Sequence, residues 1–285
     1  MDIVPQLVAN SVIAGALYAL LALGFNFLYR TVKFFDLSYG AIAATGGYTV
    51  FALSKLAGLS IWLAAPAGVL AGALLAWLIN LTIYRPLRAR RASNLVLLVA
   101  ALGVMTILQA ALAIIFSSQF QTLSASLSTV VEIAGGVYTV TQLVILAAAL
   151  LTFVALHLLK RTRLGKSIEA VADDVEVARI TGLKVERITS AVVLTAGAIA
   201  GLAGILVGFD TGLEPTMGLA LLLKAVIAAI VGGLGTAFGA LFGGFLLGAV
   251  ENFGIWQFSG EWKDAIAFML LIVFLVFRPQ GLVRR

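Results

Sequence analysis

Side chains able to do acid–base, nucleophilic or metal chemistry are few in this chain and far apart. There is one histidine, His157, and no cysteine, so an H-E-x-x-H metal motif, a thiolate nucleophile and a disulfide are all excluded. His157 ends an apolar run and is followed by Leu158-Leu159-Lys160-Arg161. An imidazole snorkelling to an interface accounts for it, and a proton relay is the sharper alternative. Gly165-Lys166-Ser167 matches the end of a phosphate-binding loop, but the full motif needs a glycine where Lys160 stands and a strand where the chain has an apolar run. ATP binding by that route is therefore not expected. Inside the apolar runs the ionisable candidates are Lys224, Glu251 and Asp36, all near run ends. Proton- and sodium-coupled carriers usually hold several carboxylates at membrane depth. Their scarcity here favours a channel-like or externally powered path. Lys224 lies in a short run beyond Pro215, where it either snorkels or touches a substrate or partner subunit.

The elements that must carry these residues follow from composition. Of 285 residues, 62% are hydrophobic and 11% charged, with a mean hydropathy of +1.10. A water-soluble domain has about a quarter of its residues charged, so the outer surface of this chain faces lipid. Apolar runs of about 20 residues, each able to cross a hydrocarbon core ~30 Å thick as helix, cover 7–29, 36–57, 61–84, 94–116, 141–159, 188–209, 218–233, 236–254 and 265–277. They predict an all-α, polytopic transmembrane helical bundle of about eight or nine spans. Eight results if 36–57, rich in Gly, Ser and Thr, or the short 218–233 is broken or re-entrant. The first run follows Asp2 with no Lys or Arg before it, unlike a cleaved signal peptide, and reads as a retained first helix.

The net charge of +6 is a topology signal and does not point to nucleic acid. Arg30, Lys33, Arg85, Arg88, Arg90, Arg91, Lys160, Arg161, Arg163, Lys166, Arg179, Lys184, Arg187, Arg278, Arg284 and Arg285 all fall in segments that one alternating topology places together. They are 16 of the 19 Lys and Arg. The positive-inside rule makes that side cytoplasmic, with the N-terminus outside and the C-terminus inside. The opposite loops carry Asp2, Glu132, Asp210, Glu214, Glu251, Glu261 and Asp264 against Lys55 and Lys263.

Two polar stretches have structure of their own. The external loop 117–140 alternates Ser or Thr with apolar residues, a pattern for a short strand pair or a lid. In the cytoplasmic loop 160–187, Ile168, Val171, Ala172, Val175, Ala178 and Ile180 fall near helical spacing, which predicts a short amphipathic helix on the membrane surface. Glycines recur four apart at 197/201, 204/208, 235/239, 239/243 and 244/248, the spacing that lets helix backbones approach closely in lipid. Gly232-Gly233-Leu234-Gly235 breaks a helix and suggests a hinge or pore-side turn.

With that loop and the glycine hairpin in view, the sequence resembles the permeases of branched-chain amino acid ABC importers, the LivH-type subunits. Four stretches carry the resemblance: Gly24-Phe25-Asn26-Phe27-Leu28-Tyr29 through Phe35-Asp36-Leu37-Ser38-Tyr39-Gly40; Tyr84-Arg85-Pro86-Leu87-Arg88; Thr162-Arg163-Leu164-Gly165 through Glu169-Ala170-Val171-Ala172-Asp173-Asp174, Ala178 and Gly182-Leu183; and Pro215-Thr216-Met217-Gly218, Lys224-Ala225, Gly232-Gly233-Leu234-Gly235-Thr236 with the ending Arg278-Pro279-Gln280-Gly281-Leu282. Together they reach nearly the whole chain. Two departures stand out. The E-A-A-x3-G loop of other importer permeases is absent, since Val175 occupies the glycine position. The run 35–40 replaces an Asn-Phe-Ala-His-Gly-like segment.

The resemblance implies one permease domain over 1–285, forming a path for a small polar solute, most plausibly branched-chain or other neutral amino acids. Relatives of the same architecture carry urea, short amides or aromatic acids. It implies that 160–187 couples to two ABC ATPase subunits through Arg163, Gly165, Glu169, Ala170, Asp173, Asp174, Ala178 and Gly182. Asn26, Asp36, Ser38, Tyr39, Thr45, Lys224, Gly232, Gly233 and Gly235 are the candidate path residues. Asp210, Glu214, Glu251, Glu261 and Asp264 are the candidate docking acids for a periplasmic or surface-anchored binding protein. A second, paralogous permease subunit would complete the pore in the bacterial inner membrane. No cofactor is expected in this chain, with Mg-ATP held by the ATPases. A stand-alone channel or ion-coupled carrier is the rival of another class, and a membrane enzyme is weaker because no acid–base–nucleophile set is visible.

Overall fold

The computed structural model describes residues 3–123, 130–133, 135–278 and 280–283. Asp2, Pro279, Arg284 and Arg285, used in the charge and motif patterns above, lie outside these, as do residues 124–129 and Ala134 of the external loop. In chain order the elements are α1 (Ile3–Val32), α2 (Ser38–Phe51) running into a π-helical turn (Ala52–Leu56), α3 (Ile61–Ile79) running through a second π-helical turn (Asn80–Tyr84) into α4 (Arg85–Ala89), and α5 (Asn94–Phe116). There follow β1 (Val130–Ile133), β2 (Gly136–Thr139), α6 (Val140–Arg161), α7 (Arg163–Asp173), α8 (Val175–Ile180), α9 (Val185–Asp210), α10 (Met217–Gly232), α11 (Ala237–Gln257) and α12 (Lys263–Phe277).

Each expected apolar run coincides with a helix. Among the described residues, six helical stretches are long and apolar enough to cross a membrane: Val4–Val32, Ile61–Ala89, Asn94–Phe116, Val140–Arg161, Val185–Asp210 and Ala237–Gln257. Met217–Gly232 is a shorter apolar helix, and α2 and α12 occupy the two remaining runs. Large apolar side chains such as Leu74, Ile107, Ile114, Leu151 and Val276 are exposed along α3, α5, α6 and α12, the surface that lipid covers in a membrane protein.

The contacts cluster into two compact units. One comprises Met1–Asn26, Ser124–Val154 and Leu223–Arg285, the other Phe27–Leu123 and Ala155–Leu222. In the second, α2, α3 and α9 meet through glycine. A Cβ added at Gly46 would lie 2.5 Å from Gly201 Cα, and one at Gly72 would lie 2.7 Å from the Gly197 carbonyl oxygen. Backbones therefore touch backbones, and association rests on van der Waals contact where lipid removes the hydrophobic drive. Tyr48, Leu112, Leu123, Ile205 and Leu213 close that packing at one end, where Gln121 and Leu213 exchange backbone hydrogen bonds of 3.0 and 2.7 Å. In the first unit, Gly15, Gly244 and Gly248 give α1 and α11 the same close approach, with a Cβ at Gly248 only 2.5 Å from Gly15 Cα. There β1 and β2 pair antiparallel, Val130 opposite Thr139, so the 117–140 stretch contains a strand pair.

The loop 160–187 differs from the single amphipathic helix expected. Asp174 adopts an extended conformation (φ −147°, ψ 117°), ending α7 and capping α8 through hydrogen bonds from Glu176 N and Val177 N at 2.8 and 3.1 Å. The restart changes the helical phase. Ile168, Val171, Ala172 and Ala178 stay buried, while Ile180, expected on the same face, is 85% exposed.

Candidate functional site

The α7–α8 loop is built to project from a firm base. Thr162 caps α7, accepting a hydrogen bond from Gly165 N at 3.1 Å. A Cβ at Gly165 would collide with the end of α6, 2.7 Å from Lys160 Cα, so only glycine allows this sharp return. Val171, Ala178 and Val185 form a small core with Val175, Leu183 and Ile188. Arg30 pairs with Glu169 at 3.3 Å, and Arg85 and Arg88 both lie 3.7 Å from Glu186 at the start of α9. Gly182 closes the loop at φ +81°, with nothing near the position a Cβ would take. On the outer face Arg163, Ala170, Asp173, Asp174, Glu176 and Arg179 are exposed. Among them stand Leu164, Val177 and Ile180, at 64%, 55% and 85% exposure. A polar rim around exposed aliphatic side chains is the make-up of a protein-docking surface.

Of the path candidates, Asp36, Ser38 and Tyr39 are buried. Asp36 Oδ1 accepts hydrogen bonds from Ser38 N at 3.0 Å, Ser38 Oγ at 2.6 Å and the Tyr84 hydroxyl at 2.7 Å. The run that departs from the family pattern is thus a fastening between the start of α2 and the α3–α4 junction. Thr45 donates to its own helix at the Ala41 carbonyl, 2.9 Å away. Asn26 binds the glycine turn on three sides: it donates to the Gly233 and Thr236 carbonyls at 3.2 and 3.1 Å and accepts from Gly235 N at 3.1 Å. α10 ends at Gly232, and the chain turns through Gly233 (φ +118°) and Gly235 (φ +82°), conformations that glycine adopts without strain. The C-terminal motif returns to the same turn. Leu282 N donates to the Val231 carbonyl at 2.9 Å and Val283 N to the Gly232 carbonyl at 3.0 Å.

Lys224 and Glu251 were assigned to different surfaces by sequence, and the structure joins them. Glu251 is fully buried within α11, with no surface to offer a docking partner. Its expected docking role is corrected for that reason. It is ion-paired with Lys224, also buried, and accepts a hydrogen bond from the Tyr18 hydroxyl at 2.6 Å. Lys224 reaches Asp264 at 2.8 Å as well, and Lys263 stands 3.9 Å from Glu251. The Lys224 ammonium sits 5.8 Å from the centroid of the Tyr18 ring. Lys224 is therefore held by carboxylates of the protein itself. Asp210, Glu214, Glu261 and Asp264 remain exposed acids.

The partners Tyr18 and Glu186 carry no role in the sequence reading, and Arg30 and Tyr84 enter it only through charge placement and motif; their contacts with Glu251, Arg88, Glu169 and Asp36 join residues distant in sequence.

A family model described as branched-chain amino acid transport system / permease component matches residues 7–275. The chain is 30% identical to the high-affinity branched-chain amino acid transport system permease protein BraD of Pseudomonas aeruginosa, covering 98% of this chain and 95% of that one. It is 29% identical to LivH of Escherichia coli over 98% and 95%, and 27% identical to a probable LivH of Methanocaldococcus jannaschii over 97% and 91%. In fold it is similar to a chain of PsaBC from Streptococcus pneumoniae in complex with Fab, with a TM-score of 0.55 at 13% identity over 95% of this chain and 91% of that one. With six full-length apolar helices and a match over nearly its whole length, this chain belongs to the branched-chain amino acid transport permease family, a family of multi-pass membrane transport proteins and not of enzymes.

Proposed function

We propose that this chain forms half of the translocation path of an ABC importer in the bacterial inner membrane, carrying branched-chain or other neutral amino acids. Two ATPase subunits holding Mg-ATP supply the energy, a binding protein outside the membrane supplies the substrate, and a second, paralogous permease subunit completes the pore. The basic ends of the helices lie in the cytoplasm with the C-terminus, and the N-terminus lies outside. Because the chain lacks cysteine, single cysteines placed at Ser54 and Ser167 report this directly. Labelling of Ser54→Cys from the cytoplasmic face would reverse the orientation.

The observation that carries the reading is the α7–α8 loop, anchored by Arg30–Glu169 and displaying Leu164, Val177 and Ile180 among charges. An ATPase groove that seats these side chains would transmit its closure through α7 and α9 into the helices, since the two states then differ in their contacts. Ile180→Glu is expected to abolish stimulation of ATP hydrolysis by the substrate-loaded binding protein while leaving membrane insertion intact. Normal stimulation in that variant would refute the assignment. For cargo, the buried hydrogen bonds of Asp36 and Ser38 give the unusual 35–40 run a structural role, which weakens its value as a sign of a different substrate. Titrating the binding protein with leucine, isoleucine and valine against urea, short amides and aromatic acids decides between them.

A further inference from the structure

Beside the α7–α8 loop lies a pocket of about 500 Å³, walled partly by residues that anchor the loop. Its polar lining is Thr31 and Lys33 at the end of α1, Arg85 and Arg88 on α4, Arg179 on α8, and Glu186 and Thr189 on α9. Four cations thus face one carboxylate. The contacts to that carboxylate are loose: both Arg85 and Arg88 stand 3.7 Å from Glu186, beyond hydrogen-bonding distance. Arg88 Nη2 is engaged by Asn80 Oδ1 at 2.7 Å, but Arg88 Nη1 is buried with no hydrogen-bond partner. The Thr31 hydroxyl, on a residue only 4% exposed, is likewise without a partner. Glu186 Oε2 is also buried without a hydrogen-bond partner, so this carboxylate does not satisfy the donors around it. Buried polar groups left unpaired are costly, and two donors among four cations in one pocket call for a further anionic acceptor. Lys33 turns into the pocket at φ +59°, a conformation a lysine seldom takes. The rest of the wall is apolar, from Val171, Val175 and Val185.

We propose that this pocket binds a phosphoryl group, with the guanidinium of Arg88 and the Thr31 hydroxyl donating to its oxygens and Lys33, Arg85 and Arg179 closing around its charge. A phosphate offers the several acceptors that this fan of donors needs. Basic pockets at the ends of membrane helices take anionic phospholipid headgroups in this way, and the valine wall suits the glycerol end of a lipid. A phospholipid seated here would touch α1, α4, α8 and α9 together, tying lipid composition to the position of the coupling loop.

The test uses the full chain purified with its partner subunits in neutral detergent. Binding of short-chain phosphatidylglycerol and of inorganic phosphate is followed separately, by native mass spectrometry and by the rise in melting temperature. The proposal expects phosphatidylglycerol to bind and the Lys33→Gln/Arg179→Gln double variant to weaken it roughly tenfold or more, with Lys33→Arg/Arg179→Lys restoring it. Thr31→Val, close in shape to threonine, is expected to weaken binding without lowering the melting temperature of the ligand-free protein. Lys55→Gln, on an exposed lysine away from the pocket, serves as the control. Binding of both probes at this site would assign it to phosphate in general, and binding of the lipid alone would assign it to the membrane. Equal binding in the double variant and the native chain, or no binding of either probe, overturns the proposal. So does loss of the ATPase subunits from the double variant with lipid binding unchanged, since the cations would then serve the protein interface.

Discussion

On α7 and α8 the acids and bases are largely exposed around Leu164, Val177 and Ile180, whereas across α1, α10 and α11 Tyr18, Lys224 and Glu251 are buried. The first region keeps its charges solvated and leaves its aliphatic side chains uncovered, so little of the chain's own stability depends on it. The second removes charge from water, which is tolerable only because each group has partners: Lys224 with Glu251 and Asp264, Glu251 with Tyr18. The same residue types therefore serve two ends: on the loop they form the exposed surface proposed above for docking, and within the helices they fix how α1, α10 and α11 sit against each other.

The sharpest way to break this comparison is to remove one buried charge. Glu251→Leu leaves Lys224 without its principal partner and is expected to cost about 3–5 kcal/mol, seen as a large fall in melting temperature or failure to accumulate in the membrane. Replacing both residues together, Lys224→Met with Glu251→Leu, is expected to recover most of that loss, because the uncompensated charge is gone. If the double variant melts no higher than the worse single one, the cluster does something besides satisfying itself, and a place in the transport path regains support.

Next in size is the clasp at the glycine turn. Asn26→Leu removes three hydrogen bonds to the backbone of Gly233, Gly235 and Thr236, of which the Gly233 carbonyl keeps the Thr236 hydroxyl as a donor. At about 1 kcal/mol for each bond, the loss is roughly 2–3 kcal/mol, readable as a lower melting temperature. An unchanged melting curve would mean the turn is held by its C-terminal contacts at Leu282 and Val283 instead.

On the loop the ranking reverses, with a small effect on stability and a large one on coupling. Gly182→Val forces a β-branched residue into φ +81° and is expected to cost about 1–2 kcal/mol, while Asp174→Ala, which removes the cap of α8, costs about 1 kcal/mol. Both are expected to leave the chain inserted and folded yet depress substrate-stimulated ATP hydrolysis by more than their melting shifts account for. Hydrolysis that falls only in step with stability would make the loop a structural feature alone.

What was legible in the sequence follows the same division. Helix positions were legible because an apolar run near 20 residues has few other solutions in lipid, and the break at Gly232-Gly233-Leu234-Gly235 showed because glycines of that density end a helix. The depth and facing of single residues were not. Glu251 reads as an acid at the end of its run when that run is closed at 254, but α11 continues to Gln257 and that carboxylate lies inside the protein. Ile180 reads as buried if one helix is drawn through 168–180. The cap at Asp174 shifts the phase, and its signal was an aspartate with free backbone amides two and three residues ahead. Tyr18 carried no signal of its own, since a tyrosine in an apolar run is ordinary and its partner lies 233 residues away.

The finest test concerns the Arg30–Glu169 pair, the place where the loop is fastened to α1. At 3.3 Å, with side chains 15% and 38% exposed, it is partly screened by water, so Glu169→Gln is expected to change stability by less than about 1 kcal/mol. Its expected effect on substrate-stimulated ATP hydrolysis is a partial loss, well short of that from Ile180→Glu, since the docking side chains remain in place and only their footing loosens. Raising the salt concentration should reproduce that loss in the native chain and add little to the variant, because screening acts on the pair the variant has already lost. The Lys224–Glu251 pair should respond far less, since Glu251 is fully buried and Lys224 nearly so. Equal salt sensitivity in the native chain and in Glu169→Gln would mean that the loop is held by the apolar contacts of Val171, Ala178 and Val185 and that its charges serve the partner alone.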